Sequence, residues 1–379
     1  MIRIFFLMLL SGVVVVGACA QTSVPQLPAL KDVYKDAFYI GAAINRAQIL
    51  GEDARGVDIV QAQFDSITPE NVLKWEAVHP KPDVYDFTAP DKYVEFGEKN
   101  HMFIIGHALV WHNQTPKWVF EDDRGNPVTR KVLLKRMHDH IHKVVGRYRG
   151  RIKGWDVVNE AINEDGSMRQ SPWQKIIGDD YIEQAFKFAH QADKKAALYY
   201  NDFSLENERK RNGAIALIKK LKAEGIPVKA IGLQGHDGMG WPTIEQQDAT
   251  ITAFEQLGVK INITELDVTV LPQATRQNTA EVTAKADLTA DLNPYVEGLP
   301  DSMQQALAQR YADLFTVFLK HRKSIERVTF WGVTDAGSWR NDWPVRGRTD
   351  YPLLFDRTGA PKPAFETVIR TAKTETAKN

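Results

Sequence analysis

The stretch "IKGWDVVNEA" (Ile152–Ala161) begins as a buried strand should and ends as one should not. Trp155, Val157 and Val158 give it the dense apolar character of a strand covered on both faces, yet it closes on an amide and a carboxylate, Asn159 and Glu160. The plan recurs. "AFYIGAAIN" (Ala37–Asn45), "FDSITPEN" (Phe64–Asn71), "MFIIGHALVW" (Met102–Trp111) and "AALYYNDFS" (Ala196–Ser204) follow it. So do "AIGLQGHDG" (Ala230–Gly238), "INITELDV" (Ile261–Val268) and "VTFWGVTD" (Val328–Asp335), which brings the strand candidates to eight. Between them, stretches such as "NGAIALIKKLKAEGIPV" (Asn212–Val228) and "TIEQQDATITAFEQLGVK" (Thr243–Lys260) repeat apolar residues at helical spacing and stop at Gly225 and Gly258. Strands that alternate with helices predict a parallel sheet, because a parallel return needs a long crossover. Eight such units predict closure into a single α/β domain, a (β/α)8 TIM barrel. An open doubly wound sheet would want a glycine-rich nucleotide turn after its first strand, and "AAINRAQILG" (Ala42–Gly51) is not one.

In nearly every strand candidate the apolar residues come first and the chemically capable ones last. The ends read Asn45; Glu70 and Asn71; His107 and Trp111; Asn159 and Glu160; Asn201 and Asp202; Gln234 and His236; Glu265 and Asp267; Trp331. All strands of a parallel barrel end at one face, so these groups converge on a single cleft. Glu160 and Glu265 stand out because each closes a strongly apolar strand, the fourth and the seventh, which lie on roughly opposite sides of a barrel. Two facing carboxyls are what glycoside cleavage requires: one protonated, to protonate the leaving oxygen, and one ionised. The alternative is a pair of structural acids paired with Lys74 or arginines. Trp111, Trp331 and Trp339 at the same face suit a sugar, which offers hydroxyls to bond and C–H faces to pack on rings.

The totals exclude other classes. The 48 basic and 48 acidic residues cancel, which argues against a nucleic-acid partner. "MHDHIH" sets His138 and His142 at a spacing that a metal could use, but on a helix before the fourth strand with no acidic partner, so no metal site is expected. "GLQGHDGMG" lacks the Lys-Ser/Thr of a phosphate loop, and no serine nucleophile elbow is present. No cofactor is implied.

The first residues, "MIRIFFLMLLSGVVVVGACAQTS", carry one charge at Arg3, a short apolar run and then small residues, the pattern of an export signal over residues 1–20. Cys19, the only cysteine, sits in "VGAC", which resembles a lipoprotein signal with Cys19 lipidated; cleavage after Ala20 is the competing reading. The protein is accordingly expected to be exported, as an outer-membrane or cell-surface lipoprotein or else periplasmic or secreted. A spacer (residues 21–30), a catalytic domain (31–372) and a short tail (373–379) complete the expected organisation.

Taken together, "SITPENVLKWE", "HALVWHNQTPKW", "WDVVNEA", "GLQGH", "ITELDV", "TFWGVTDAGSW" and "RGRTDYPLLFD" resemble glycoside hydrolase family ten, the retaining endo-β-1,4-xylanases. The similarity runs from about residue 31 to 372, with small departures at Ala108, Asn113 and the "VL" of "ENVLKWE". The resemblance implies xylan and xylo-oligosaccharides as substrate, a monomer, Glu160 as acid/base and Glu265 as nucleophile. It implies supporting roles for Asn159, His236, Asp267 and Gln234, with Asp267 orienting His236 and His236 holding Glu265 ionised. Lys74, His107 and Trp331 are then expected around the sugar whose bond is cut, and Trp111 among the substrate-binding residues. Asn45, Glu70, Asn71, Gln114 and Trp339 are expected at the next sugar, and Tyr200 and Asn201 towards the leaving group. A β-glucanase on the same barrel and a non-cutting sugar-binding protein are the alternatives; the latter would have lost a carboxylate, and both are present.

Overall fold

A computed structural model describes residues 28–274 and 285–377, so the export signal, Cys19 and most of the spacer lie outside the described residues. The strands are β1 (Tyr39–Ile44), β2 (Ser66–Pro69), β3 (Phe103–Val110), β4 (Gly154–Asn159) and β5 (Ala197–Asp202). They continue as β6 (Ala230–Leu233), β7 (His236–Gly238), β8 (Lys260–Thr269) and β9 (Ile325–Phe330). Neighbours from β1 to β6 pair in parallel, β1 also pairs with β9 and β9 with β8. The parallel β6–β8 pairing, Ala230 opposite Lys260, closes the eight-stranded barrel. A long helix follows each barrel strand, as the crossovers require; Glu208–Ala223 after β5 and Ile244–Glu255 after β6 are two of them.

Local chemistry accounts for where the observed elements depart from the sequence pattern. The predicted strand Ala230–Gly238 is two pieces, because Gly235 takes φ +74° and breaks the run between Leu233 and His236. The resumed piece, β7, pairs with the overhanging end of the ten-residue β8, and that register sets His236 opposite Asp267. The predicted strand Val328–Asp335 begins earlier, at Ile325, and ends at Phe330; Gly332, at φ +126°, turns the chain away just after Trp331. The last helix, Pro363–Ala377, extends into the segment read as a tail.

The core lies between the barrel wall and the helices, with Trp155, Val157, Ile231, Ile261 and Val328 among its fully buried side chains. The barrel interior is more polar than that layer: Ser66, Thr68, Asp156, Asn262, Thr264, Arg327 and Thr329 are all buried. His138 and His142 stack on each other with ring centroids 4.1 Å apart, and no group of His, Cys, Asp or Glu among the described residues is arranged to hold a metal. No helix among the described residues is long and apolar enough to cross a membrane.

Candidate active site

The carboxyl ends of the strands open into a cleft. Glu70, Asn71, Lys74, His107, Trp111, Gln114, Asn159, Glu160, Gln234, His236, Glu265, Trp331 and Trp339 all line it. Five described non-glycine residues have positive φ, and three of them (Gln114 at +45°, Glu160 at +59° and Ser204 at +52°) are cleft residues. Side chains pay for that backbone conformation, and such strain concentrates where a functional group must be aimed.

Glu160 is 7% exposed and accepts three hydrogen bonds. Trp111 Nε1 donates to Oε2 at 2.9 Å, while Gln234 Nε2 (3.0 Å) and Asn159 Nδ2 (3.3 Å) donate to Oε1. Glu265, 4% exposed, takes the amide of Asn201 on Oε1 at 2.7 Å and lies 3.3 Å from His236 Nε2 through Oε2. A single amide network joins the two acids, since Asn159 Oδ1 accepts from both Asn201 Nδ2 (2.9 Å) and Gln234 Nε2 (3.3 Å). Gly232 makes room for it: a Cβ there would run into the Asn201 carboxamide.

The two carboxyls are pushed in opposite directions. Burial raises Glu160, and the charges of Asp202 and Glu265 add to the rise against the bonds from Gln234 and Trp111. Burial also works to raise Glu265, but the bond from His236 and the neighbouring His107, His236 and Lys74 outweigh it and hold it below the ordinary glutamate range. His236 is itself desolvated, yet the charge of Asp267, 3.1 Å from its Nδ1, and the bond to Glu265 carry it up to about 9. Asp267 is in turn clamped by Trp339 Nε1 and Arg340 Nε, each at 2.7 Å. The site thus holds one carboxyl poised to keep its proton and one poised to lose it, which is the division of labour acid-assisted displacement needs.

The sugar-side residues form a second cluster. Lys74 Nζ donates to Asn71 Oδ1 (3.0 Å) and Gln114 Oε1 (2.8 Å) and lies 4.8 Å from the centre of the Trp111 ring. Burial lowers Lys74, opposed by Glu265, Glu70 and Glu160, and raises Glu70 to about 7, opposed by Lys74. His107 is fixed from below by Asp156, 2.9 Å from its Nδ1, and meets Trp331 edge-on.

Four predicted residues, Asn45, Tyr200, Asn201 and the Asp267 just described, do not line the cleft themselves. Asn45 does not line the cleft; its side chain caps the helix Arg46–Leu50, accepting from Gln48 N. Tyr200 and Asn201 are fully buried behind the cleft wall. Asn201 touches Glu265 directly, and the Tyr200 hydroxyl bonds Asp202 and the amide of Ala161. Both belong to β5, whose pleat sends these successive side chains to opposite faces. Conversely, Phe203, Ser204, Arg340 and Trp343 line the cleft without having been singled out. Phe203 and Ser204 lie in the quoted strand candidate, and Trp343 stacks on Trp339 at 4.9 Å, a pairing that no local pattern announces.

The family model for glycosyl hydrolase family 10 matches residues 29–371. The chain belongs to glycosyl hydrolase family 10. Among its family 10 relatives, an endo-1,4-beta-xylanase A of Xylanibacter ruminicola is 46% identical over 355 residues, covering 94% of this chain and 95% of that one. A beta-1,4-xylanase of Dictyoglomus thermophilum is 41% identical, covering 91% of each chain. The solved structure of a family 10 endoxylanase from a sugarcane soil metagenome superposes with a TM-score of 0.88 at 45% identity, covering 90% of this chain and 99% of that one. The barrel closure and the single-domain architecture agree with this family 10 neighbour.

Proposed function

We propose that the protein hydrolyses internal β-1,4-xylosidic bonds of xylan and xylo-oligosaccharides by a retaining double displacement. One observation carries the reading: two buried carboxyls, one just after β4 and one within β8, joined by one amide network, are driven to opposite protonation preferences. Membership of a family whose relatives above are named xylanases supports the substrate.

In the first step a Glu265 oxygen attacks the anomeric carbon as the bond to the departing chain breaks, and the Glu160 proton passes to the leaving oxygen. A xylosyl ester on Glu265 results. Esterification removes the Glu265 charge that helped keep Glu160 protonated, so Glu160 becomes able to act as base. It then takes a proton from water, whose oxygen bonds the anomeric carbon and frees Glu265. Two inversions leave the configuration retained. Asn159 is assigned to the 2-hydroxyl of the cleaved sugar, with Lys74, His107 and Trp331 around that ring. Glu70, Asn71, Gln114 and Trp339 are assigned to the next sugar.

Xylose lacks the hydroxymethyl group of glucose, so selectivity rests on walls that close against that carbon. Trp339, fixed by Asp267 and stacked on Trp343, and Gln114, held by Lys74 and Asn71, are suited to be those walls. The test is product analysis on soluble arabinoxylan, with carboxymethyl-cellulose and mixed-linkage glucan alongside. Rapid release of short xylo-oligosaccharides with little from the glucans is expected; preferential release from the glucans would overturn the xylan assignment. Glu265→Ala should abolish turnover. Glu160→Ala should harm substrates with poor leaving groups far more than activated aryl glycosides.

A further inference from the structure

The backbone that carries Glu160 is gripped from two sides. Its own amide donates to Asn201 O at 2.9 Å, the Ala161 amide to the Tyr200 hydroxyl at 3.0 Å, and the Ile162 amide to Asp202 Oδ2 at 3.4 Å. Three successive amides after β4 are therefore held by three successive residues of β5, and the Tyr200 hydroxyl donates to that same Asp202 oxygen. From the other side Arg169 Nε donates to the Glu160 carbonyl at 2.8 Å. This grip is what keeps a glutamate in a left-handed backbone conformation.

Asp202 has a second face. Its Oδ1 accepts from the Phe203 amide at 2.9 Å and lies 3.1 Å from Lys210 Nζ, on the helix Glu208–Ala223. Both side chains are fully buried. Lys210 also reaches Glu164 at 3.1 Å, on the loop that follows Glu160, and sits 3.2 Å over the Phe203 ring centre. A buried ion pair is an expensive way to gain stability, and well-packed apolar residues usually serve as well. Stability is therefore a weak reason for Asp202 and Lys210 to occupy these positions.

We infer that the Asp202–Lys210 pair is a positioning device for Glu160, which holds its backbone turn and sets the charge that its carboxyl meets from β5. The inference rests on Glu160 being the acid/base. Other charges face Glu160 too: Glu265 from β8 and Lys74 from beyond β2. Arg169 meets the Glu160 carbonyl and Tyr181 lies near Asp202, while the remaining partners, Trp111 and Gln234, are neutral. A negative Asp202 disfavours a negative Glu160, and Lys210 partly offsets Asp202, so removing either should move the acid in opposite directions.

The test is the pH dependence of kcat/KM on xylotetraose, whose leaving group needs the proton, and on 4-nitrophenyl β-xylobioside, whose leaving group does not. With xylotetraose, Asp202→Asn should move the basic limb to lower pH, Lys210→Gln should move it to higher pH, and Lys210→Arg should leave it in place. The acidic limb, which follows Glu265, should not move in any of them. Lower activity with stationary limbs in both Asp202→Asn and Lys210→Gln would reduce the pair to scaffolding and overturn the inference. Should Asp202→Asn fail to fold, the upward shift in Lys210→Gln decides alone. Glu160→Ala run in parallel separates the two failures: equal losses on both substrates would remove the acid/base reading itself.

Discussion

His236 is the residue whose loss should be read most clearly, because it couples stability to pH and to the nucleophile. In the folded protein burial works to lower it, yet its carboxylates carry it from 6.5 up to about 9, which at about 1.4 kcal/mol per pH unit corresponds to roughly 3 kcal/mol of net preference for the imidazolium. A group raised on folding contributes fully below its unfolded value and loses that contribution as pH climbs through its folded value. The stabilisation is therefore complete below about pH 6.5 and gone above about pH 9. His236→Asn keeps a side chain of similar shape without the charge. Urea unfolding of both proteins from pH 6 to pH 10 should show a wild-type advantage that shrinks by about 3 kcal/mol across this window. Kinetically, Glu265 loses a hydrogen bond and a nearby cation in the variant, so it ionises less readily and the acidic limb of kcat/KM should move to higher pH. A stability difference that stays flat from pH 6 to pH 10, or an acidic limb that does not move, would refute the charged His236 bridge between Asp267 and Glu265.

Two further predictions follow from individual contacts. Asn201→Ala removes the 2.7 Å bond to Glu265 and unlinks Asn159; a hydrogen bond to a charged group is worth about 1.5–3 kcal/mol, so kcat/KM should fall about 10- to 100-fold with the fold intact by circular dichroism. Gly213→Ala would drive a Cβ into the Gly166 carbonyl and push the loop after Glu160 off the helix Glu208–Ala223, so it should cost about 1–3 kcal/mol in urea unfolding and lower activity as well.

What could be read in the chain alone was periodic or terminal. Strand-like runs alternating with helical ones determined a parallel barrel, and the polar residues that close those runs had to share one face, because parallel strands end together. Glu160 and Glu265 were legible for that reason: each closes an apolar strand. The tertiary structure decided what each terminal side chain touches. Asn201 and Tyr200 occupy strand-end positions like the rest, but the β5 pleat and the absent Cβ of Gly232 turn Asn201 inward to Glu265 and Tyr200 to Asp202 and Ala161. Asn45 is another strand-end amide, and it is spent on capping a helix. Lys210, in the first turn of a helix, looks like any solvated lysine in sequence and is fully buried against Asp202. A strand's hydrophobic pattern is local and survives in one dimension. The charge that a carboxyl meets is set by residues tens of positions away, and only the closed barrel brings those together.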